Sequence, residues 1–220
     1  MMIIKVCGMR EASNIRALGR LDIDWMGFIF YPGSPRYVPD TDEYRDVVQS
    51  CTKDRVGVFV NEEAAVILRK VGSYGLHYVQ LHGDESPEFC QQLREKGCAV
   101  IKAFSVSSGD DLLQTAAYEP FVDFFLFDTK SSQYGGTGKR FDWSVLEVYR
   151  GNTPFLLSGG IGAEYMDDLQ AFSHPLMAGI DLNSRFELSP AVKDAAMIEL
   201  FVGQLNRSGW RSKETSIFIY

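Results

Sequence analysis

The chain is poor in the residue types that usually bind metals. It has three histidines and four cysteines in 220 residues. The cysteines form no CxxC pair and do not have the spacing of zinc ligands. Since no export signal is recognisable, we expect reduced thiols and not disulfides. The sequence therefore predicts neither a metal site nor a disulfide framework.

Long apolar runs are also missing. No run reaches the roughly 18 to 20 residues that a membrane-spanning helix requires. The apolar segment at residues 1–6 is too short for a signal peptide and lacks a basic flank and a cleavage site. We therefore expect a cytoplasmic protein without a membrane partner.

Basic residues are outnumbered by acidic ones, which limits the class of ligand. The chain has 22 lysines and arginines against 29 acidic residues, for a formal net charge of -7. An acidic surface argues against a nucleic-acid partner and against an anionic membrane. It still allows a local basic pocket, so a small anionic ligand is compatible with the composition.

What the chain does have is a regular succession of short apolar runs. With 45% hydrophobic residues in a chain of this length, one buried core is expected. Runs rich in valine, isoleucine and phenylalanine alternate with segments of helical period, the pattern of a parallel sheet wrapped by helices. The eight runs are Ile3–Cys7, Trp25–Phe30, Arg55–Val60, Tyr78–His82, Val100–Ser105, Phe124–Asp128, Phe155–Ser158 and Ala178–Leu182. They favour an α/β fold with a parallel eight-stranded core, a single (βα)8 TIM barrel, over an open doubly wound sheet, which the spacing alone does not exclude.

The segments between the runs are predicted to be helices. Asn61 and Ser86 precede two of them and have side-chain oxygens that can cap a helix. The predicted helices are Ala12–Gly19, Asp42–Cys51, Glu62–Tyr74, Pro87–Glu95, Asp110–Tyr118, Trp143–Tyr149, Ala163–Phe172 and Ala191–Asn206. The barrel domain should therefore span residues 1–207. Residues 208–220 form a tail that packs on the barrel, joins a dimer contact or stays loose.

In a barrel enzyme the catalytic groups lie where the strands end. Cys7 ends the first strand and Asp128 ends the sixth, so one could deprotonate a substrate carbon and the other could protonate it. A thiol acts as a base only as thiolate, which requires positive charge or amide dipoles nearby. The alternatives are a small buried hydrophobe for Cys7 and a turn-capping residue for Asp128.

Polar turns follow the seventh and eighth strands. Gly159 and Gly160 would let the backbone approach an anion, and the helix beginning near Ala163 would present unpaired amides to it. Asn183 and Ser184 lie in the turn after the eighth strand. Because barrel enzymes often hold a phosphate between these turns, the pair predicts a phosphorylated substrate. An ordinary strand-to-helix turn is the alternative.

Two loops carry further candidates. Arg36 lies in a loop rich in proline and glycine after the second strand, and could bind a substrate carboxylate as a bidentate donor; a solvated arginine is the alternative. Residues 134–139, within the stretch 130–140, include three glycines in four positions and are expected to be a mobile lid. This loop lacks the GxxxxGK[ST] spacing, which argues against ATP or GTP binding.

Taken in order, the motifs at the strand ends resemble those of the phosphoribosylanthranilate isomerase family. The resemblance covers residues 3–206. The motifs are Lys5-Val6-Cys7-Gly8-Met9, Gly27-Phe28-Ile29-Phe30, Ser34-Pro35-Arg36-Tyr37-Val38, Val58-Phe59-Val60, Val79-Gln80-Leu81-His82-Gly83, Phe127-Asp128-Thr129, Gly135-Gly136-Thr137-Gly138, Leu157-Ser158-Gly159-Gly160-Ile161 and Gly179-Ile180-Asp181-Leu182-Asn183-Ser184. So many ordered motifs are more specific than any one of them.

The resemblance implies an Amadori rearrangement without a cofactor, in which N-(5-phosphoribosyl)anthranilate becomes the matching 1-amino-1-deoxyribulose phosphate. It implies that Asp128 is the general acid that protonates the ribose ring oxygen. Cys7 is then the general base that removes the C2 proton, and Arg36 contacts the anthranilate carboxylate. The expected partner is a small phosphorylated molecule, and the chain should act as a monomer or homodimer.

The resemblance also gives roles to the remaining strand ends. The phosphate-binding positions are Gly159, Gly160, Asn183 and Ser184. Asp181 lines the mouth near the substrate. His82 is assigned to substrate binding, with a structural role as the alternative.

One departure from the family pattern falls after the eighth strand. The family usually continues Ser-Gly-Val-Glu, whereas this chain reads Ser184-Arg185-Phe186-Glu187. A residue other than glycine disfavours positive φ, so either the turn is reshaped or Arg185 adds a charged contact to the phosphate.

Two other functions remain as alternatives: another phosphate-binding barrel isomerase or epimerase, and a non-catalytic barrel that binds a phosphorylated metabolite.

Overall fold

Eight parallel strands close into a barrel in the computed structural model, which describes residues 1–129 and 143–213. The strands are β1 (Ile3–Cys7), β2 (Trp25–Ile29), β3 (Asp54–Phe59), β4 (Tyr78–Leu81), β5 (Ala99–Val106), β6 (Phe124–Thr129), β7 (Phe155–Ser158) and β8 (Met177–Leu182). Each strand pairs with the next, and the barrel closes where β8 pairs with β1, with Lys5 opposite Asp181. The predicted (βα)8 barrel is confirmed, and the open sheet is wrong.

Several of the helices around the barrel begin at a side chain that caps them. Thr41, Ser86 and Asp194 each accept a hydrogen bond from the backbone amide three residues later. The predicted cap at Ser86 is confirmed. The one at Asn61 is wrong, because this residue has a φ of 50° and its side chain accepts from the amide of Asp84. The α-helices are α1 (Ala12–Leu18), α2 (Asp42–Gln49), α3 (Ala64–Tyr74), α4 (Pro87–Glu95), α5 (Met166–Ala171) and α6 (Ala195–Arg207).

Two connections that were predicted as helices are 3-10 helices. They span Gly109–Ala117 and Trp143–Val148. The buried side chains are three residues apart in both, such as Leu112 and Thr115 in the first. Because the 3-10 helix repeats every three residues, this spacing places the buried side chains on one side of the helix.

Among the helices in residues 1–129 and 143–213, none is long and apolar enough to cross a membrane.

An antiparallel hairpin occupies the start of the last predicted helix. Its strands are β9 (Glu187–Ser189) and β10 (Val192–Lys193), and the turn between them contains Ala191 at a φ of 68°. The helix predicted from Ala191 therefore begins later, at Ala195. The hairpin matters for the site because it supplies two charged side chains.

The barrel interior is layered, because every second residue of a strand points inward. Trp25 of β2 contacts Tyr78 of β4 and Phe124 of β6, with ring centroids 4.3 and 5.4 Å apart. These strands are not neighbours in the sheet, so the rings meet inside the barrel and form an apolar floor. Gln80, two residues after Tyr78 on β4, and Lys5 of β1 form a polar layer. The next inward residues reach the carboxyl-terminal rim.

Part of the predicted tail packs against the amino-terminal end of the barrel. Trp210 is 1% exposed, and its indole donates to a backbone carbonyl of α5. Arg211 binds both carboxylate oxygens of Asp24, at 2.7 and 2.6 Å. Of the three alternatives for the tail, residues 208–213 therefore pack on the barrel, and residues 214–220 lie outside the described part of the chain.

Candidate active site

The carboxyl ends of the strands surround a cavity of about 290 Å³. Eight of the nine predicted site residues line it: Cys7, His82, Asp128, Gly159, Gly160, Asp181, Asn183 and Ser184. The ninth, Arg36, is not part of its wall. The predicted acid, base and phosphate positions thus share one pocket.

Cys7 lies at the end of β1 with its thiol against β2. The residue is 3% exposed yet lines the cavity. Its neighbour in β2 is Gly27, and a β-carbon added to Gly27 would lie 2.6 Å from Cys7 Sγ. The thiol therefore occupies space that exists only because Gly27 has no side chain.

A buried ion pair lies in the interior layer next to the thiol. Lys5 is fully buried, and its ammonium donates to Gln80 Oε1 at 2.7 Å and to Asp181 Oδ1 at 2.9 Å. Burial would lower the pKa of Lys5, but Asp181 and Cys7 together outweigh it and raise the pKa above its ordinary value. Burial raises the pKa of the Cys7 thiol, and the Lys5 ammonium opposes this rise. Lys5 is therefore a permanent cation beside the predicted base.

His82 and Asp128 face each other in the cavity wall. His82 Nε2 lies 3.9 Å from Asp128 Oδ2. His82 Nδ1 lies 2.9 Å from the amide nitrogen of Gln80, which is itself buried. Burial lowers the pKa of His82, and the charge of Asp128 opposes this only in part. The imidazole is therefore neutral at pH 7 and above.

Arg36 belongs to a charge cluster that reaches the cavity through Asn183. Its Nε and Nη2 donate to the two carboxylate oxygens of Glu187 at 2.8 and 2.5 Å. Lys193 Nζ donates to Glu187 and to Asn183 Oδ1, both at 2.7 Å. Burial would raise the pKa of Glu187, but the hydrogen bonds from Arg36 and Lys193 outweigh it and lower the pKa to about 2. Arg36 is thus a paired side chain, and the solvated alternative is wrong.

The two turns predicted to bind phosphate have different backbones. Gly159 and Gly160 have φ values of 97° and 66°, which glycine adopts readily. Residues Ser184–Phe186 form a 3-10 turn, so Arg185 does not adopt a positive φ. Arg185 Nη1 lies 3.3 Å from Glu164 Oε1, with both side chains about half exposed. A residue other than glycine therefore fits this turn without backbone strain, and Arg185 also lines the cavity.

The polar residues Lys5, Gln80, Glu187 and Lys193 belong to the site but were not among the predicted site residues. Lys5 and Gln80 lie two residues before Cys7 and His82 on the same strands, so period-two alternation was the signal for them. Within residues 1–129 and 143–213, no three side chains of His, Cys, Asp or Glu are grouped as a metal site would require. The predicted lid at 134–139 lies outside the described residues.

Comparison with known proteins gives consistent matches over nearly the whole chain. A family model described as N-(5'phosphoribosyl)anthranilate (PRA) isomerase matches residues 4–204. An N-(5'-phosphoribosyl)anthranilate isomerase of Phocaeicola vulgatus is 52% identical over 206 residues, which cover 94% of this chain and 98% of that protein.

Two solved structures share the fold at recognisable sequence identity. A phosphoribosyl anthranilate isomerase in complex with reduced 1-(o-carboxyphenylamino)-1-deoxyribulose 5-phosphate is 31% identical, with a TM-score of 0.78. Monomers generated from the dimeric isomerase of Thermotoga maritima give the same identity and TM-score. Each match covers 94% of this chain and 100% of the solved one.

Proposed function

The chain belongs to the N-(5'-phosphoribosyl)anthranilate isomerase family and is an isomerase of tryptophan biosynthesis, and we propose that Cys7 and Asp128 are its general base and general acid. The reaction converts N-(5-phosphoribosyl)anthranilate, an aminoaldose, into 1-(2-carboxyphenylamino)-1-deoxyribulose 5-phosphate, an aminoketose. One observation carries the proposal: a thiol and a carboxyl group line one cavity from β1 and β6, which are not neighbouring strands.

The substrate phosphate is proposed to bind at the turns after β7 and β8. The positive φ values of Gly159 and Gly160 support this, since such turns bring backbone amides close to a ligand. Asn183 and Ser184 line the same cavity. A phosphate held there would leave the ribose between Cys7 and the opposite wall.

The anthranilate carboxylate is proposed to interact with Arg36. Two of the five N–H groups of its guanidinium are engaged by Glu187. The Nη1 edge has no such partner among the described residues and remains a donor for a second carboxylate. Glu187 therefore orients Arg36 and does not block it.

Asp128 is proposed to start the reaction by protonating the ribose ring oxygen. The C1–O bond breaks with its electron pair going to that oxygen, and the nitrogen lone pair forms a C=N bond to C1. A cationic open-chain imine results. Asp128, which lines the cavity, is left as a carboxylate.

Cys7 is proposed to act next, as a thiolate that removes the C2 proton. The C2–H electron pair forms a C1–C2 double bond, the C=N electrons return to nitrogen, and an enolamine results. Loss of the C2 hydroxyl proton and protonation of C1 then give the ketone. Because burial disfavours the thiolate, the ammonium groups of Lys5 and, to a smaller extent, Lys193 are the charges that support it.

The test follows loss of substrate fluorescence, with phosphoribosylanthranilate generated in situ. We expect Asp128→Asn and Cys7→Ala each to lower kcat by about 10²- to 10⁴-fold, the usual contribution of one general acid or base. Matched controls are Cys98→Ser, at a buried thiol outside the cavity wall, and Asp110→Asn, on the surface. Full activity of Cys7→Ala would refute the thiolate mechanism, and full activity of Asp128→Asn would refute the acid.

The oligomeric state is proposed to be a monomer or a homodimer with the same active site in each copy. Within the described part of the chain, strands β1, β2, β3, β4, β6, β7 and β8 of a single copy all contribute to the cavity wall. Light scattering of the purified protein gives the mass. Activity that disappears on dilution below the dimerisation range would show that a single copy is not sufficient.

A further inference from the structure

We propose that Gln80 is a positioning residue that holds His82 in the neutral tautomer with its proton on Nε2, so that this N–H faces the Asp128 carboxyl. The tautomer follows from hydrogen bonds in the described part of the chain. Only its mechanistic use rests on the proposed function, through Asp128.

Lys5 fixes the orientation of the Gln80 side-chain amide, because an ammonium group can only donate hydrogen bonds. Its Nζ lies 2.7 Å from one of the two terminal atoms of the Gln80 side-chain amide. That atom must accept, so it is the carbonyl oxygen Oε1. Lys5 is 0% exposed and Gln80 is 1% exposed, so water does not offer Gln80 another arrangement. The amide of Gln80 is thus fixed with its NH2 group directed away from Lys5.

That NH2 group determines the tautomer of His82. It lies 2.9 Å from His82 Nδ1, and an amide nitrogen can only donate. Nδ1 must therefore accept, and a neutral imidazole then carries its proton on Nε2. A protonated imidazole would place two donors against each other at this contact.

The surrounding charges favour the neutral ring. Burial lowers the pKa of His82, and the Lys5 and Lys102 ammonium groups reinforce this; the Asp181 carboxylate opposes it, as does Asp128 once it is ionised. Gln80 adds a neutral donor at Nδ1, which disfavours the imidazolium further.

The mechanistic use of this arrangement concerns the proton of Asp128. A neutral Nε2–H can donate to the carboxylate that forms when Asp128 gives up its proton, so it favours the transfer. An imidazolium in the same place would stabilise the carboxylate before the substrate binds, and Asp128 would have no proton to give. At 3.9 Å the two groups face each other without a hydrogen bond in this structure, and a shift of about 1 Å would form one.

The decisive measurement is the ¹⁵N NMR spectrum of the histidine rings. The chain has three histidines, and the spectrum of His82→Asn assigns His82. At pH 8 we expect wild-type His82 to show a protonated Nε2 and an unprotonated Nδ1. A protonated Nδ1 would overturn the proposal without any enzyme assay.

Gln80→Glu tests the cause. A carboxylate can accept from Lys5 but cannot donate to Nδ1, so the His82 proton should move to Nδ1 or the ring should become charged, with a raised pKa. Gln92→Glu, the same change at an exposed site on α4, should leave the His82 signals unchanged. An unchanged His82 spectrum in folded Gln80→Glu would also overturn the proposal.

Activity assays distinguish a positioning role of Gln80 and His82 from a purely structural one. The side-chain N–H of His82→Gln can reach the position of Nε2–H, whereas the shorter His82→Asn cannot. We expect His82→Gln to keep kcat within about threefold of wild type, and His82→Asn and Gln80→Glu to lose tenfold or more with little change in KM. Equal loss in His82→Gln and His82→Asn would refute the donor role. If instead Asp128→Asn stays active, the proposed acid fails while the NMR result stands.

Discussion

Gly27→Ala should impair catalysis without removing any group of the reaction. Gly27 lies opposite Cys7 in the register of β1 and β2. A β-carbon there would lie 2.6 Å from Cys7 Sγ, 3.1 Å from its Cα and 3.2 Å from its Cβ. Because the close contacts include the backbone, rotation of the thiol alone does not relieve the clash. The amides of Gly8 and Met9 both donate to the Gly27 carbonyl at 2.9 Å, so the two strands are also held together at this point.

The size of the effect follows from these distances. Ordinary contact between non-bonded heavy atoms is about 3.5–4.0 Å, so the thiol must move by about 1 Å. A misplacement of this size costs about 10²-fold in rate when the reacting atoms depend on close alignment. We therefore expect kcat of Gly27→Ala to fall about 10²-fold, with a much smaller change in KM because the turns proposed to bind the phosphate are untouched.

The assay is the fluorescence assay above, with Gly72→Ala as the matched control. Gly72 lies within α3, and a β-carbon there meets nothing within 4 Å. This control should keep full activity and gain about 0.5–1 kcal/mol of stability, because alanine favours the helix over glycine. Wild-type kcat in a folded Gly27→Ala protein would refute the conclusion that the thiol position is set by this missing side chain.

Two further changes test the charges around the pocket. Glu187→Gln should reduce the free energy of unfolding by about 3 kcal/mol, because it leaves Arg36 and Lys193 without their buried anion. Thermal unfolding measures this loss, with the exposed Glu199→Gln as the control. A loss of stability below about 1 kcal/mol would contradict the prediction. Because the pKa of Glu187 falls from 4.5 to about 2 on folding, the same stabilisation should be complete above about pH 4.5 and decline as the pH falls toward 2 in the wild type only. Arg185→Gly should raise KM up to about fivefold at unchanged kcat, as expected for a half-exposed charge worth about 1 kcal/mol, and a much larger rise would mean that Arg185 dominates phosphate binding.

The strands were predictable because a buried parallel strand is a compact apolar run. Each predicted strand end lies within one residue of the observed end, and the rim residues Cys7, His82 and Asp128 followed from it. The two 3-10 helices were not distinguished from α-helices. Their buried positions, such as Leu112 and Thr115, are compatible with either period over so short a segment.

The same strand pattern could have predicted that Lys5 and Gln80 face the barrel interior. Once Cys7 and His82 are placed facing the pocket, the residues two positions earlier must face the interior. Alternation does not say that Lys5 bonds to Asp181, because that contact crosses the seam between β1 and β8 and depends on the stagger at which the barrel closes. The hydrogen-bonded chain that fixes His82 is therefore a property of barrel closure and of no single motif.

The charge cluster around Arg36 could not be predicted from local sequence patterns, for a different reason. Glu187 is 151 residues away from Arg36 in the chain, and it reaches the arginine from a hairpin whose turn holds Ala191 in a conformation that sequence rules reserve for glycine. Such a residue persists only where its surroundings hold it. Here Glu187 Oε1 accepts from the Ala191 amide at 3.2 Å and from Lys193 at 2.7 Å. The same carboxylate therefore stabilises the hairpin turn and orients Arg36. Both the turn conformation and the orientation of Arg36 are expected to be lost in Glu187→Gln.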